Sequence, residues 1–159
     1  MFVVDASSII YGWDNYPAES FPKLWEWIAQ QIHLGQLVIS AVAKKEVEQV
    51  CPECADWLKN ASIHVEPVSN EILREALRIS HLHGVKNGKY HTKGFDENDA
   101  IIMATAKVLN GSLLSNEERQ PNIPNDVTKA KIPLACSHSS ISINCLNFLE
   151  YIRSSGVAF

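Results

Sequence analysis

Short apolar runs alternate with longer amphipathic stretches along almost the whole chain. Phe2-Val3-Val4 is a compact apolar run that ends on Asp5, before the small hydroxyl residues Ser7 and Ser8 and an apolar helix start at Ile9 and Ile10. Tyr11 to Pro22, rich in Tyr, Trp, Asn and Pro, predicts a loop or a broken first helix. Leu24, Trp25, Trp27, Ile28, Ile32 and Leu34 then recur at helical spacing, and Gly35 follows as a helix-ending residue. Leu37 to Ser40 predicts a second strand. Ser40 suits an N-cap for a helix over Ala41 to Val50, with Val42, Glu46 and Gln49 near one face and Val47 and Val50 beside it. Cys51-Pro52 breaks that helix, and Pro52 can open the next at its first position. Ile63 to Pro67 alternates as a short strand does.

A further helix begins around Ser69, with Ile72, Leu73, Ala76, Leu77 and Ile79 as its expected buried face, and ends near His83-Gly84. Val85 to Gly94 is polar and reads as a loop. Asp96, Glu97 and Asp99 stand where a helix N-terminus favours carboxylates, and the helix that follows, Ala100 to Leu109, is apolar nearly all round, as a central buried helix is. Ser112 to Ser115 predicts a strand leading into Glu117 and Glu118, Ile141 to Asn144 a late strand, and Leu146 to Ser154 a last helix. Strands alternating with helices define an α/β protein whose parallel sheet is covered on both sides. In such a sheet the successive strand ends share one edge.

Size and charge narrow this picture. A chain of 159 residues makes a single domain, 1–159, with 46% hydrophobic and 20% charged residues, both globular values. No apolar run approaches the ~18 residues of a membrane span, and the chain starts on a strand-like run without a basic leader, so the expected location is the cytoplasm. The net charge of -4 argues mildly against simple nucleic-acid binding but not against a metal-dependent nuclease, whose carboxylates add negative charge that bound cations offset.

Four acids occupy matching places in the pattern. Asp5 ends the first strand, Glu46 lies in the first turns after the second, Asp99 starts the buried helix and Glu117 follows the Ser112–Ser115 strand. Carboxylates meeting in one crevice repel and raise each other's pKa unless a cation neutralises them, and hard oxygen-preferring Mg²⁺ or Mn²⁺ fits such a site. Each acid also has a plainer role open to it. Asp5, Asp96, Glu97 and Asp99 suit helix caps, Glu46 a solvated helix face, and Glu117 and Glu118 a surface loop.

Taken in order, these motifs resemble the PIN-domain family, the metal-dependent ribonucleases of many bacterial toxin–antitoxin systems (VapC-like toxins). Val3-Val4-Asp5-Ala6-Ser7-Ser8-Ile9-Ile10 is similar to the family's opening run, Ile39-Ser40 with Glu46-Val47 to its second strand and acid-bearing helix, and Asp99 to Ala106 to its most recognisable helix. Leu114-Ser115-Asn116-Glu117 sits where the family has Thr-x-Asp. Phe21 to Trp27, Lys131-Ile132-Pro133 with Cys136, and Cys145 to Phe159 resemble one less-studied PIN subgroup.

The resemblance implies a three-layer α/β/α sandwich with a central, mainly parallel sheet. It implies Mg²⁺- or Mn²⁺-dependent RNA hydrolysis, with Asp5, Glu46, Asp99 and Glu117 as catalytic, metal-holding acids and Ser7 and Ser115 as polar helpers near the metal or phosphate. The implied partners are an RNA substrate, a cognate antitoxin and a second copy in a homodimer, with no membrane. Two departures stand out: Glu117 replaces the usual Asp, and the family's Asp-x-Asp-Phe tail is absent, which leaves Glu117, Glu118 or Asp96 to complete the site. A PIN-fold module that binds RNA or protein without turnover is the alternative.

Other motifs point less far. Cys51-Pro52-Glu53-Cys54 is a single CxxC, and Cys136 and Cys145 are too widely spaced to make a second zinc half-site. His81, His83 and His91 among Lys86, Lys89 and Lys93 form either a basic edge for RNA or a solvated loop. Tyr11, Trp13, Tyr16, Trp25 and Trp27 suit a core or a dimer surface better than base stacking.

Overall fold

The structure, a computed structural model, describes residues 1–159. Strands β1 (Phe2–Val4), β2 (Leu37–Ser40), β3 (His64–Glu66), β4 (Ser112–Leu114) and β5 (Cys145–Leu146) form one sheet in the order β3-β2-β1-β4-β5. Every pairing is parallel. The strands are short, apolar and buried at the centre, as a sheet covered on both faces requires. The order runs one way from β1 to β3 and the other way from β1 to β5, so the sheet reverses direction between β1 and β4. Ligands in open α/β sheets bind at that switch point, beyond the carboxyl ends of the strands.

Between β1 and β3 lie α1 (Ala6–Asn15), α2 (Pro22–His33), α3 (Ala41–Val50) and α4 (Pro52–Asn60). After β3 come α5 (Asn70–Leu82) and α6 (Glu97–Val108); after β4, α7 (Ile132–Cys136); after β5, α8 (Phe148–Ser155). Right-handed crossovers put helices on opposite faces when the strand order reverses. The packing agrees: α5 lies on α6 and α6 touches α7, while α8 returns to α1. The result is an α/β/α sandwich. Helix α6 crosses β1, β2 and β4, and every residue from Ala100 to Ala106 is buried, which explains its lack of a polar face. No helix is long and apolar enough to cross a membrane.

Four expectations need correction. Helix α1 continues unbroken through the aromatic stretch to Asn15. Gly12 lets α8 pack directly on this helix, because the Phe148 ring occupies the space a Cβ would need. Gly12→Ala therefore forces α1 off α8, and we expect it to lower stability by about 1–3 kcal/mol in urea unfolding. On α5, Leu73 and Leu77 are 41% and 58% exposed, so the buried stripe is Ile72, Ala76, Ile79 and Ser80. His83, at the end of α5, is 4% exposed and packs on Phe95, so it forms no part of a basic edge.

The late strand is also displaced. Ile141 and Ile143 are buried, but Ser142 has φ +52° and the segment folds back on α7, with Ile141 N and Ser142 N both donating to His138 O at 2.8 Å. The ladder begins only where Leu113 N donates to Asn144 O at 2.8 Å, and the strand proper is Cys145–Leu146.

Candidate functional site: an acidic crevice at the switch point

Register sets the site. Val4 of β1 lies between Ile39 of β2 and Leu114 of β4, so the residues just beyond these strands emerge side by side. Asp5 N donates to Leu114 O at 2.9 Å and Ser115 N to Leu146 O at 2.9 Å, holding Asp5 and Ser115 at the same edge.

Asp5 is only 3% exposed. It occupies the N-cap position of α1, yet its side chain makes no capping hydrogen bond, which removes the plainer role open to it. Instead its Oδ2 accepts from Ser7 Oγ and, at 2.9 Å, from Ser115 Oγ. Burial raises the Asp5 pKa, against the two serine hydroxyls and the nearby amides of Ala6 and Ser7. Neither serine hydroxyl reaches Oδ1, which is the less committed of the two oxygens.

The serines connect the two strand ends. Ser7 Oγ also accepts from Asn116 N at 2.9 Å, and Ser115 Oγ from Glu117 N at 3.3 Å. Asn116 in turn accepts from Phe148 N at 2.8 Å, tying the crevice floor to α8. Spacing alone gave no reason to single out Asn116, since its role depends on a helix 32 residues away.

The remaining acids surround Asp5. Glu46 projects from α3, half-buried. Its pKa is raised first by desolvation and then by the charges of Asp5, Asp96 and Glu117. Asp99, at the third position of α6, forms a capping box with Asp96: Asp96 N donates to Asp99 Oδ2 at 2.8 Å and Asp99 N to Asp96 Oδ1 at 3.0 Å. Desolvation pushes the Asp99 carboxyl up to about 8; the amide of Asp96 opposes this, while the charges of Asp96, Glu117 and Asp5 add to it. Glu117 Oε2 accepts from Ile132 N at 3.0 Å, at the start of α7. Its pKa is raised by burial and by Asp5 and Asp96, against the Ile132 amide and the Lys131 charge.

The expected acids Asp5, Glu46, Asp99 and Glu117 therefore share one crevice with Ser7 and Ser115. Asp96 belongs to its electrostatics, because its charge acts on three of the four. Glu118 does not belong: it is 75% exposed and pairs with Lys131 at 3.5 Å. As the side chains stand, no three of them are arranged to hold a metal ion. Asp99 and Glu117 are instead turned toward backbone amides, a disposition that separates like charges.

No group of three His, Cys, Asp or Glu side chains stands in a metal-holding arrangement around the cysteines. All four are free thiols. Cys54 is buried, and its pKa is pushed up to about 12 by desolvation and then by Cys51 and Asp14. Of the aromatic residues, Trp25 is core, Trp13, Tyr16 and Trp27 pack half-buried against it and Tyr11 is exposed; Trp25 stands edge-on to both Trp13 and Trp57, at 5.1 and 4.7 Å between centroids.

Fold and crevice together define an open parallel α/β protein with buried acids at its switch point. The chain belongs to the family described as "Domain of unknown function (DUF4411)", which matches residues 2–159. None of the curated proteins compared with it matches. Among solved structures, it is similar to a toxin–antitoxin complex from Klebsiella pneumoniae at 14% identity and TM-score 0.48, covering 92% of this chain and 97% of that one. FitAcB from Neisseria gonorrhoeae is similar at 14% identity and TM-score 0.48, over 94% and 99% of the two chains. VapBC2 from Rickettsia felis, bound to a DNA fragment from its promoter, gives 14% identity and TM-score 0.48 over 82% and 96%.

Proposed function

We propose that the chain is a metal-dependent endoribonuclease that takes Mg²⁺ or Mn²⁺ at this crevice, and that it is the toxin of a toxin–antitoxin pair with an antitoxin protein as its partner. One observation carries the catalytic part. Carboxylates from the ends of β1 and β4 and from α3 and α6 act on one another around Asp5, which is held by serine hydroxyls and backbone amides and not by any cationic side chain. An all-oxygen anionic site, offset only by the Lys131 charge near Glu117, suits a hard divalent cation. The sequence resemblance supports the toxin role.

Asp5, Glu46, Asp99 and Glu117 would hold the ion, which when bound polarises a phosphoryl oxygen and lowers the pKa of water. The chain's own residues do the rest. Ser7 and Ser115 fix Asp5 through Oδ2 and leave Oδ1 less committed. Glu46 shows no protein hydrogen bond, which leaves its carboxylate oxygens open to a cation. Burial of the crevice strengthens each of these interactions.

The test is cleavage of RNA by the purified protein with Mg²⁺ or Mn²⁺. Glu117→Gln should slow it at least tenfold, about 1.4 kcal/mol of barrier, and Glu118→Gln should leave it unchanged. Equal losses in the two variants would remove Glu117 from the site. A second reading, a binding module without turnover, draws support from the engagement of Asp99 and Glu117 with backbone amides. Calorimetric titration with Mn²⁺ separates the two: RNA binding with no Mn²⁺ uptake favours the module.

A further inference from the structure

The charge of this acidic chain is segregated. Between Ala76 and Phe95 there are four Lys and Arg residues, Arg78, Lys86, Lys89 and Lys93, and no acid, although the whole chain carries 18 acids. Arg78 is committed to Glu75, with bonds of 2.6 and 2.8 Å. Lys86, Lys89 and Lys93 are exposed and enter none of the chain's ion pairs.

This segment is a built hairpin rather than the plain loop its polarity suggests. Asn87 (φ +53°) and Gly88 (φ +67°) form the two-residue turn, and Lys86 and Lys89 pair across an antiparallel bridge with Lys89 N donating to Lys86 O at 3.1 Å. Like charges directly opposite each other destabilise such a pair. No ion pair of the chain offsets these two charges, which stand side by side in solvent and open to an anion.

The hairpin is anchored on both sides. Val85 is buried, and Val85 N donates to Ser80 O at 3.0 Å, while the Tyr90 hydroxyl meets Ser80 Oγ at 3.0 Å. Beyond it, Phe95 N donates to Ala130 O at 2.9 Å, and Gly94 lies so close to the Thr128 carbonyl that a Cβ would not fit. The hairpin therefore abuts the Thr128–Lys131 segment. His91 and Lys129 both face Asp126, whose carboxylate is tied to Thr128. One residue past Lys131, Ile132 N holds Glu117. One residue past Phe95, Asp96 caps α6 beside Asp99. The basic band thus runs from the hairpin tip along Lys93 and Lys129 to the lip of the acidic crevice.

We propose that this band, Lys86, Lys89 and Lys93 with Lys129, is a phosphate-binding lip that seats the backbone of a single RNA strand beside the crevice. The identity of the polyanion as RNA rests on the nuclease reading above. The lip holds phosphates by charge, so it adds affinity without reading bases.

The test measures binding of a fluorescein-labelled single-stranded RNA by anisotropy, in EDTA, over a range of salt. The variants are Lys86→Gln/Lys89→Gln/Lys93→Gln and a control of equal charge change elsewhere, Lys23→Gln/Lys59→Gln/Arg153→Gln. The hairpin variant should bind about tenfold or more weakly, and its slope of log affinity against log salt should be shallower by about 2, the value for three phosphate contacts. The control should stay within about twofold. Equal binding by parent and hairpin variant, an equal loss in the control, or hairpin-dependent binding of polyglutamate but not RNA would each overturn the lip.

Cleavage with Mg²⁺ separates the two proposals. Weaker RNA binding by the hairpin variant with no cleavage by the parent leaves the lip standing and the nuclease reading fallen. Cleavage by both proteins with the same KM leaves the nuclease reading and removes the lip.

Discussion

Asp5→Asn is expected to reduce divalent-metal-dependent RNA cleavage at least about a hundredfold, ~2.7 kcal/mol of barrier, without unfolding the protein. The hydroxyl hydrogens of Ser7 and Ser115 converge on Oδ2, and asparagine can satisfy both only by presenting its carbonyl oxygen to them. Its NH₂ group then takes the place of Oδ1. A donor stands where the site needs an acceptor, while the packing around α1 is unchanged. Burial raises the Asp5 pKa, so a neutral amide there also removes an unfavourable buried charge. Circular dichroism and the thermal midpoint should match or exceed those of the parent, and Mn²⁺ binding by calorimetry should weaken in parallel with cleavage. A variant that cuts RNA within about threefold of the parent rate would show that Asp5 is not a ligand.

The placement of Asp5 was legible because a short apolar run ending in an acid has few ways to fold in a parallel sheet. The same logic located Glu46, Asp99 and Glu117, each tied by chain position to a strand end or to the buried helix. Their hydrogen-bond partners were not legible. Glu117 meets Ile132 N and Asn116 meets Phe148 N, and both partners come from helices whose positions depend on where β5 pairs. That pairing was misread, since Ile141 and Ile143 alternate like a strand but reach the core from a turn set by the positive φ of Ser142. Leu73 and Leu77 were misplaced for a related reason: α5 buries only the narrow stripe that α6 touches, and α6 is itself apolar on every side. Helix α1 runs on through Gly12 to Asn15 with Phe148 packed against it, a tertiary contact that local propensity does not encode.

Asp99→Asn should abolish most cleavage and yet make the metal-free protein more stable at alkaline pH. The Asp99 carboxyl is raised from 3.8 to about 8 in the folded chain, chiefly by desolvation, so between these values the native state holds a proton that the unfolded state has lost. The native state therefore binds more protons there, and its stability must fall as pH rises from about 4 to about 8. A shift of roughly four units bounds the loss at ~5–6 kcal/mol. Asp96, Glu117 and Asp5 share the repulsion and can relax, so the expected difference is nearer 2 kcal/mol. Asparagine keeps the capping box, because its carbonyl oxygen can accept from Asp96 N as Oδ2 does now. It cannot ionise, so the variant should lack this pH dependence: about 2 kcal/mol more stable than the parent above pH 8, and equal to it below about pH 4. Urea unfolding across the pH range in EDTA measures both limits. Mg²⁺ should then reverse the order, since a cation that binds only the folded state stabilises the parent by mass action and the variant much less. If millimolar Mg²⁺ left the parent's thermal midpoint at pH 8 unmoved, the crevice would not be a metal site, and the raised carboxyl of Asp99 would have to serve as a proton donor or acceptor in its own right.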